Sequence, residues 1–258
     1  MQNCLELKNI SKTFQAINGE TKAIEDFSYK FKKGDFVSIV GPSGCGKSTI
    51  LSIIAGLEAQ TSGIILLDNS PLPRENCNIG YMLQKDYLLD WRTVYKNILL
   101  GLEIKSMLTP ESLKYVDSLL KKYGLYEFKD KFPNQLSGGM RQRVALIRTL
   151  AINPDILLLD EAFSALDYQT RLLVTNDVYN IIKAENKTTI MVTHDIPESI
   201  SMSDEVIVLT ARPSTIKEIY RIKFDIPNRT PLTCRDNPVF TKYFDKIWHS
   251  LNSKKKEL

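Results

Sequence analysis

The sequence predicts a three-layer α/β fold that carries an inserted helical segment. Three observations lead there. Strand-like apolar runs alternate with helical stretches at both ends of the 258-residue chain, and a mostly helical block lies between about 88 and 150. The third is the aliphatic run Ile156–Leu159, which suits a strand buried on both faces of a parallel sheet.

Taken in order, residues 5–10 and 36–40 read as strands, the second launched from the Lys33-Gly34-Asp35 turn. Residues 41–46 form a glycine-rich loop and Ser48–Ala55 continues as a helix, giving strand, loop and helix in succession. Between Pro110-Glu111 and Gly124, the residues Leu113, Val116, Leu119, Leu120 and Tyr123 recur at helical spacing. Ser137 is placed to cap a helix running through Val144, Leu146, Ile147 and Leu150 to about Ile152. Asn153-Pro154-Asp155 stops that helix and launches the strand 156–159. A helix at about 168–184 and strands at 188–192 and 205–209 complete the pattern, and nothing repeats internally.

Composition narrows the function classes. With 43% hydrophobic and 25% charged residues, the chain has the usage of a soluble globular protein, which excludes collagen-like, low-complexity and disordered readings. No apolar run approaches the roughly 18 residues of a membrane span. The N-terminus shows neither a basic start nor an apolar stretch, so no signal peptide is expected and the protein reads as intracellular. Residues 242–258 supply +3 of the net charge of +4, leaving a nearly neutral body that argues against a nucleic-acid-binding surface. Lys254, Lys255 and Lys256 read as a solvated tail, since anionic lipid would call for more charge. Cys4, Cys45, Cys77 and Cys234 are scattered, with no Cys-x-x-Cys pair, and fit reduced thiols better than a zinc site or disulfides.

Three motifs carry chemistry. The first is Gly41-Pro42-Ser43-Gly44-Cys45-Gly46-Lys47-Ser48, followed by Thr49, which matches the phosphate-binding P-loop pattern. Glycines let backbone N–H groups face a polyphosphate, the following helix aims its positive end at it, Lys47 adds a charge, and Ser48 offers a hydroxyl to Mg²⁺. A chance glycine-rich turn is the plain alternative, and the flanking strand and helix argue against it. The second motif is the carboxylate pair Asp160-Glu161 at the tip of the 156–159 strand. Such a pair is costly without a cation nearby. A Mg²⁺ held by Asp160 supplies one, and Glu161 can then orient or deprotonate water; capping the next helix is the structural alternative. The third is Leu136-Ser137-Gly138-Gly139-Met140-Arg141-Gln142-Arg143, in which Ser-Gly-Gly opens a helix as a second anion site, or simply as a tight turn.

With that third segment the chain resembles the ABC-transporter ATPases, whose signature is Leu-Ser-Gly-Gly. The resemblance covers residues 5 to about 210, and other landmarks follow in family order. Gln84 matches the Q-loop glutamine, Ser164-Ala-Leu-Asp167 the D-loop, His194 the switch histidine, and Phe14 the aromatic that stacks on adenine. Each alone reads as something plainer: a buried glutamine, a capping aspartate, a core histidine, a core phenylalanine. The resemblance implies a P-loop NTPase core of the ABC ATPase type with an N-terminal antiparallel β part and an inserted helical subdomain. Its segments would be 1–87 and 151–215 as the catalytic core, 88–150 as the helical insert and 216–258 as a short C-terminal extension.

It also implies the roles. Lys47 would sit on phosphate, Ser48, Gln84 and Asp160 around Mg²⁺, Glu161 as general base, and His194 on the γ-phosphate of ATP. Ser137, Gly138, Gly139 and Met140 would close on the nucleotide of a second copy in a head-to-tail dimer. A separate permease would receive the energy, and a solute-binding protein would act with it on the other side, placing this subunit on the cytoplasmic face of the membrane. Leu88-Leu-Asp-Trp91-Arg92-Thr93-Val94 and the tail Ala211-Arg-Pro-Ser with Asp225-Ile-Pro-Asn-Arg229 resemble the nitrate/sulfonate/taurine importer group, although Asp90 stands where that group has proline. In that setting Trp91 would meet the permease; from composition alone it would be a core residue. A soluble non-transport ABC ATPase is the rival reading. Such chains carry two cassettes or a long coiled-coil insert, and this one has a single cassette with a short insert.

Overall fold

A computed structural model describes residues 3–16, 19–72 and 78–253. In chain order the elements are β1 (Asn3–Ala16), β2 (Gly19–Lys32), β3 (Phe36–Val40), α1 (Lys47–Ile54), β4 (Ser62–Leu67), β5 (Ser70–Pro71) and β6 (Ile79–Met82). There follow α2 (Val94–Ile104), α3 (Pro110–Lys122), α4 (Gly138–Ala151), β7 (Ile156–Asp160), α5 (Tyr168–Ala184) and β8 (Thr188–Val192). The chain ends with α6 (Ile196–Met202), β9 (Glu205–Leu209), β10 (Ile216–Arg221), α7 (Pro231–Arg235) and α8 (Pro238–Asn252). Cys77 and the lysines at 254–256 lie outside the described residues.

Two compact units emerge. One comprises Met1–Asn76 and Asn186–Leu258, the other Cys77–Glu185. The division differs from the expected segments: β6, β7 and α5, read as parts of a catalytic core, group here with the helical block.

In the first unit an antiparallel sheet runs in the order β2-β1-β4-β5. Its long β1–β2 ribbon is interrupted by register shifts around Ile10, where Asn9 and Asp26 take left-handed backbone angles. Bulges of this kind strengthen local twist and let a long ribbon bend over a core. A second set of strands lies in the order β10-β9-β3-β8, with β3 parallel to both neighbours and β10 antiparallel at the edge. Every residue of β3 and β8 is buried, including Ser38, Thr188 and Thr189, which is why these segments read as mostly apolar runs rather than alternating ones.

The extension beyond residue 215 is not an appendage. Ile222 and Ile247 join Val40, Ile196, Ile200, Val206 and Val208 in one buried cluster, with Phe224, Phe240, Tyr243 and Phe244 packed against it. Burying these side chains, at about 1.5–3 kcal/mol each, fixes α8 to the floor beneath the end of β3. Lys217 closes the joint by donating to the carbonyl oxygens of Ser250 and Ser253, the last turn of α8.

In the second unit β6 and β7 pair in parallel, with Tyr81 opposite Leu158. Helices α2, α3 and α5 surround α4, whose residues Val144, Leu146, Ile147 and Leu150 are fully buried. Helix α3 begins with a reciprocal cap between Thr109 and Ser112. Glu185, just past α5, accepts from Lys122, Tyr123 and Tyr115 at 2.7, 2.7 and 3.1 Å, tying α3 to α5.

Candidate functional site

The first unit presents the glycine-rich loop between β3 and α1. Gly44 and Gly46 both adopt left-handed angles (φ 71° and 112°), and Gly46 is the N-cap of α1. A Cβ at Gly46 would also stand 3.2 Å from the Ala23 carbonyl oxygen, so no other residue fits there unstrained. No acidic residue occupies the first turn of α1, which leaves its positive end uncompensated. Lys47 is only 6% exposed and folds back over the loop, donating to the carbonyl oxygens of Gly41 (2.9 Å) and Pro42 (3.0 Å). Ser43, Gly44 and Ser48 are exposed beside it, and Thr49 is half-buried. Cys45 points inward, fully buried, and burial pushes its thiol pKa up.

Sequence reasoning missed a brace on this loop. Arg212 donates twice to the Gly44 carbonyl oxygen, at 3.1 and 2.8 Å. The adjacent Ser214 backbone exchanges hydrogen bonds with Ala23 and Glu25 of β2. Nothing in a lone arginine so far downstream signals that contact. Phe14 of β1 is 38% exposed, with the Lys12 ammonium 4.8 Å from its ring centre. His194 follows β8 and is exposed, while Asp195 caps α6 by accepting from the Glu198 N–H. A core phenylalanine and a core histidine are therefore both excluded.

The second unit gathers the carboxylates. Asp160 ends β7, and its Oδ2 accepts from the Tyr81 hydroxyl of β6 at 3.0 Å. Glu161 takes a left-handed backbone (φ 47°), a conformation that costs a non-glycine residue of order 1 kcal/mol and is concentrated at functional sites. The turn behind it is held by Ser164, whose N–H and hydroxyl both bond the Glu161 carbonyl oxygen (3.1 and 2.9 Å). Gln84 is exposed rather than buried, and its amide nitrogen donates to the Ser164 hydroxyl at 3.0 Å. Gln84, Ser164 and Glu161 are thus joined in one hydrogen-bonded chain. Tyr81 and Ser164 were not legible as partners, because only the pairing of distant segments brings them to these groups.

The signature turn lies in this unit too. Ser137 is exposed and caps α4, accepting from the Met140 N–H at 3.3 Å, while Met140 itself is half-buried. Gly138 and Gly139 keep ordinary helical angles, but a Cβ on Gly139 would meet a Val174 methyl at 2.8 Å. Asp167 serves as N-cap of α5; the bonds it accepts from Thr170 hold its carboxyl below the usual range. Trp91 is 76% exposed, not a core residue.

Each unit offers oxygen groups of the kind Mg²⁺ takes, the first the Ser48 hydroxyl and the second the Gln84 amide oxygen and the Asp160 carboxylate. The Gln84 nitrogen is committed to Ser164. Among the described residues no cluster of three or more His, Cys, Asp or Glu is arranged as a metal cage.

Comparison with known proteins decides the family. The family model described as ABC transporter matches residues 24–164, more than half of the chain and inclusive of the glycine-rich loop, the signature turn and Glu161. The chain belongs to the ABC transporter family. It is an ATP-binding cassette, an ATPase of the kind that powers transport. It is 46% identical over 253 residues to the uncharacterized ABC transporter ATP-binding protein YtlC of Bacillus subtilis, covering 98% of this chain and 97% of that one. The taurine import ATP-binding protein TauB of Jannaschia sp. is 40% identical over 221 residues, 85% of this chain and 82% of its own length. The nitrate import ATP-binding protein NrtD of Synechococcus elongatus is 38% identical over 230 residues, 88% and 84% respectively. The dimeric structure of MJ0796, a bacterial ABC transporter cassette, superposes with a TM-score of 0.71 at 32% identity, covering 85% of this chain and 99% of that one.

Proposed function

We propose that this cassette energises an importer of a small anion or small organic solute, working as a head-to-tail dimer beneath a separate permease at the cytoplasmic face of the membrane. One observation carries the dimer: the chain has a single glycine-rich loop and a single signature turn, and each offers an exposed helix N-terminus that takes an anion. A cassette with one of each completes two nucleotide sites only by meeting its own copy, and the MJ0796 structure is itself dimeric.

In this reading Lys47 leaves the Gly41 and Pro42 carbonyls for the β- and γ-phosphates of ATP. Ser48, Gln84 and Asp160 would hold Mg²⁺, which when bound would neutralise charge on the phosphate oxygens. Phe14 supplies a stacking face for the base. Glu161 takes the proton of a water whose oxygen attacks the γ-phosphorus; the bond to the bridging oxygen breaks and ADP departs. His194 steadies the transferred group, and Ser137, Gly138, Gly139 and Met140, with Asp167, close from the other copy.

Trp91 is the proposed anchor for the permease. It projects from a turn that Asn97, itself fully buried, fastens at four points: the N–H and carbonyl of Leu89 and the carbonyls of Arg92 and Thr93, at 2.7–3.1 Å. Arg92 is held in turn by Glu103 at 2.6 and 2.7 Å. A rigid, exposed aromatic is the type of residue that carries binding energy at interfaces. The solute class rests on the group resemblance and on the taurine and nitrate relatives. A solute-binding protein would act through the permease, and no nucleic acid is involved.

The test is Glu161→Gln. With ATP it should accumulate as a dimer on size-exclusion chromatography while hydrolysis stops; a monomer that hydrolyses ATP normally overturns the reading. Trp91→Ala should leave ATP binding intact and sharply reduce permease-stimulated hydrolysis and uptake. Unchanged assembly and uptake would remove Trp91 from the coupling contact.

A further inference from the structure

Two arginines of α4 reach from the signature turn to the segment that follows Gln84. Arg141, immediately after Met140, donates through Nε to the Asp86 carboxylate at 3.0 Å and through Nη1 to the Leu136 carbonyl at 3.3 Å. One guanidinium thus bridges the residue before Ser137 and the residue two past Gln84. Two turns further along, Arg148 donates to the carbonyl oxygens of Tyr87 (2.8 Å) and Asp86 (2.5 Å). Asp86 also accepts from the Leu88 N–H at 3.2 Å, and Tyr87 is held at φ 44°, a strained backbone that these bonds fix in place.

None of these groups touches a phosphate or a base in the function proposed above. Nor are they simply core packing: Asp86 and Arg141 keep 26% and 39% of their side-chain surface exposed. An exposed ion pair alone contributes little. Here, however, it closes a cluster in which three backbone carbonyls on two segments are bonded to two rigid guanidinium forks. Arg141 and Arg148 therefore make the Gln84 loop and the Ser137 turn one mechanical piece.

We infer that Arg141 and Asp86, supported by Arg148, are positioning residues that couple the two nucleotide sites of the dimer. This rests on the composite-site reading, in which Gln84 serves one nucleotide and Ser137 the nucleotide held by the other copy. A shift of Gln84 on binding the first ATP is then passed through Asp86 and Arg141 to Ser137, so that the second site is filled or closed more readily. Such coupling is a free energy between two sites, visible as cooperativity and not as a change in either site's own chemistry.

The experiment measures hydrolysis against ATP concentration for the full chain, with fluorescent-nucleotide binding to the monomer as a second readout. The wild type should give a Hill coefficient between 1 and about 2, the ceiling for two sites. Arg141→Ala and Asp86→Ala should each bring it to about 1, with monomer affinity changed less than twofold. The double variant should do no more than either single one, because both break the same bridge. Arg141→Lys keeps the charge without the fork and should fall between. If either alanine variant folds poorly, the swapped pair D86R/R141D, which restores the attraction, should regain cooperativity that neither reversal shows alone. A wild type that dimerises yet lacks cooperativity, or alanine variants that keep it, overturns the coupling and leaves the composite-site reading standing. Failure of Glu161→Gln to dimerise with ATP overturns both.

Discussion

The glycine-rich loop and the signature turn both precede a helix, and in the function proposed above they turn their helix N-termini toward an anion by opposite means. The loop before α1 uses glycines at left-handed angles and a lysine folded across its carbonyls, so it wraps. The turn before α4 has ordinary angles, a serine cap and glycines that allow close approach, so it presents a flat face. A wrapping site can hold phosphate by itself, whereas a flat one contributes only when something is pressed against it. The difference separates binding from assembly, and substitutions at the two places should separate them too.

The largest effect is expected at the wrapping site. Lys47→Ala removes the one charge of the loop and should weaken nucleotide binding by a hundredfold or more, about 3 kcal/mol, and abolish turnover. Equilibrium binding measures it; full hydrolysis in a clean preparation would show that the loop is not the phosphate site. Ser137→Arg should do the reverse, leaving monomer affinity within about twofold while preventing dimerisation in the Glu161→Gln background. If it weakens monomer binding instead, the two sites are not separate in the way their geometry suggests.

Smaller effects sharpen the contrast. Gly46→Ala combines a left-handed angle with a 3.2 Å approach to the Ala23 carbonyl and should cost about 2 kcal/mol in urea unfolding. Gly138→Ala places its Cβ 3.5 Å from a Leu166 methyl at an ordinary angle and should change stability by less than about 0.5 kcal/mol. An effect between those two lies in the body that carries the flat site. Burial would raise the Glu185 pKa, but bonds from Lys122, Tyr123 and Tyr115 outweigh it and the carboxyl is held below its usual 4.5. Its contribution is therefore present above that value and lost as pH falls through the lower, folded one. Glu185→Gln should cost about 1 kcal/mol at pH 7, with the deficit vanishing in acid; a deficit that persists at pH 3 would deny the carboxylate its role.

How much of this was legible follows from the kind of information each feature needs. The glycine-rich loop, the Asp160-Glu161 pair and the signature turn could be read because their residue types are demanded by local chemistry, and strands β3, β7, β8 and β9 because burial on both faces leaves short runs that are mostly apolar. Helices α3, α4 and α5 announced themselves by spacing and caps. The ribbon β1–β2 runs further than its apolar core at 5–10 because bulges break the alternation that would have marked it. Arg212, Tyr81 and Ser164 act across long stretches of chain, and a single sequence holds no record of such pairings. Exposure was equally hidden: Trp91 and Gln84 look like core residues by type and stand at the surface in fact.

Strand β3, which leads into the glycine-rich loop, pairs on both sides with strands made much later. Its neighbours are β8, in register at Thr189, and β9, in register at Val206, and its first residue is fastened by Asp204. The Gly44 brace from Arg212 comes later still. On the ribosome, then, the most recognisable segment of the chain emerges early and waits without a partner while most of the polypeptide is synthesised. Connections of such long range close slowly and leave an apolar edge open to wrong pairing. Synthesis halted just past the carboxylate strand would yield a chain bearing the whole glycine-rich loop but neither β8 and β9, which flank β3, nor the Arg212 that braces Gly44.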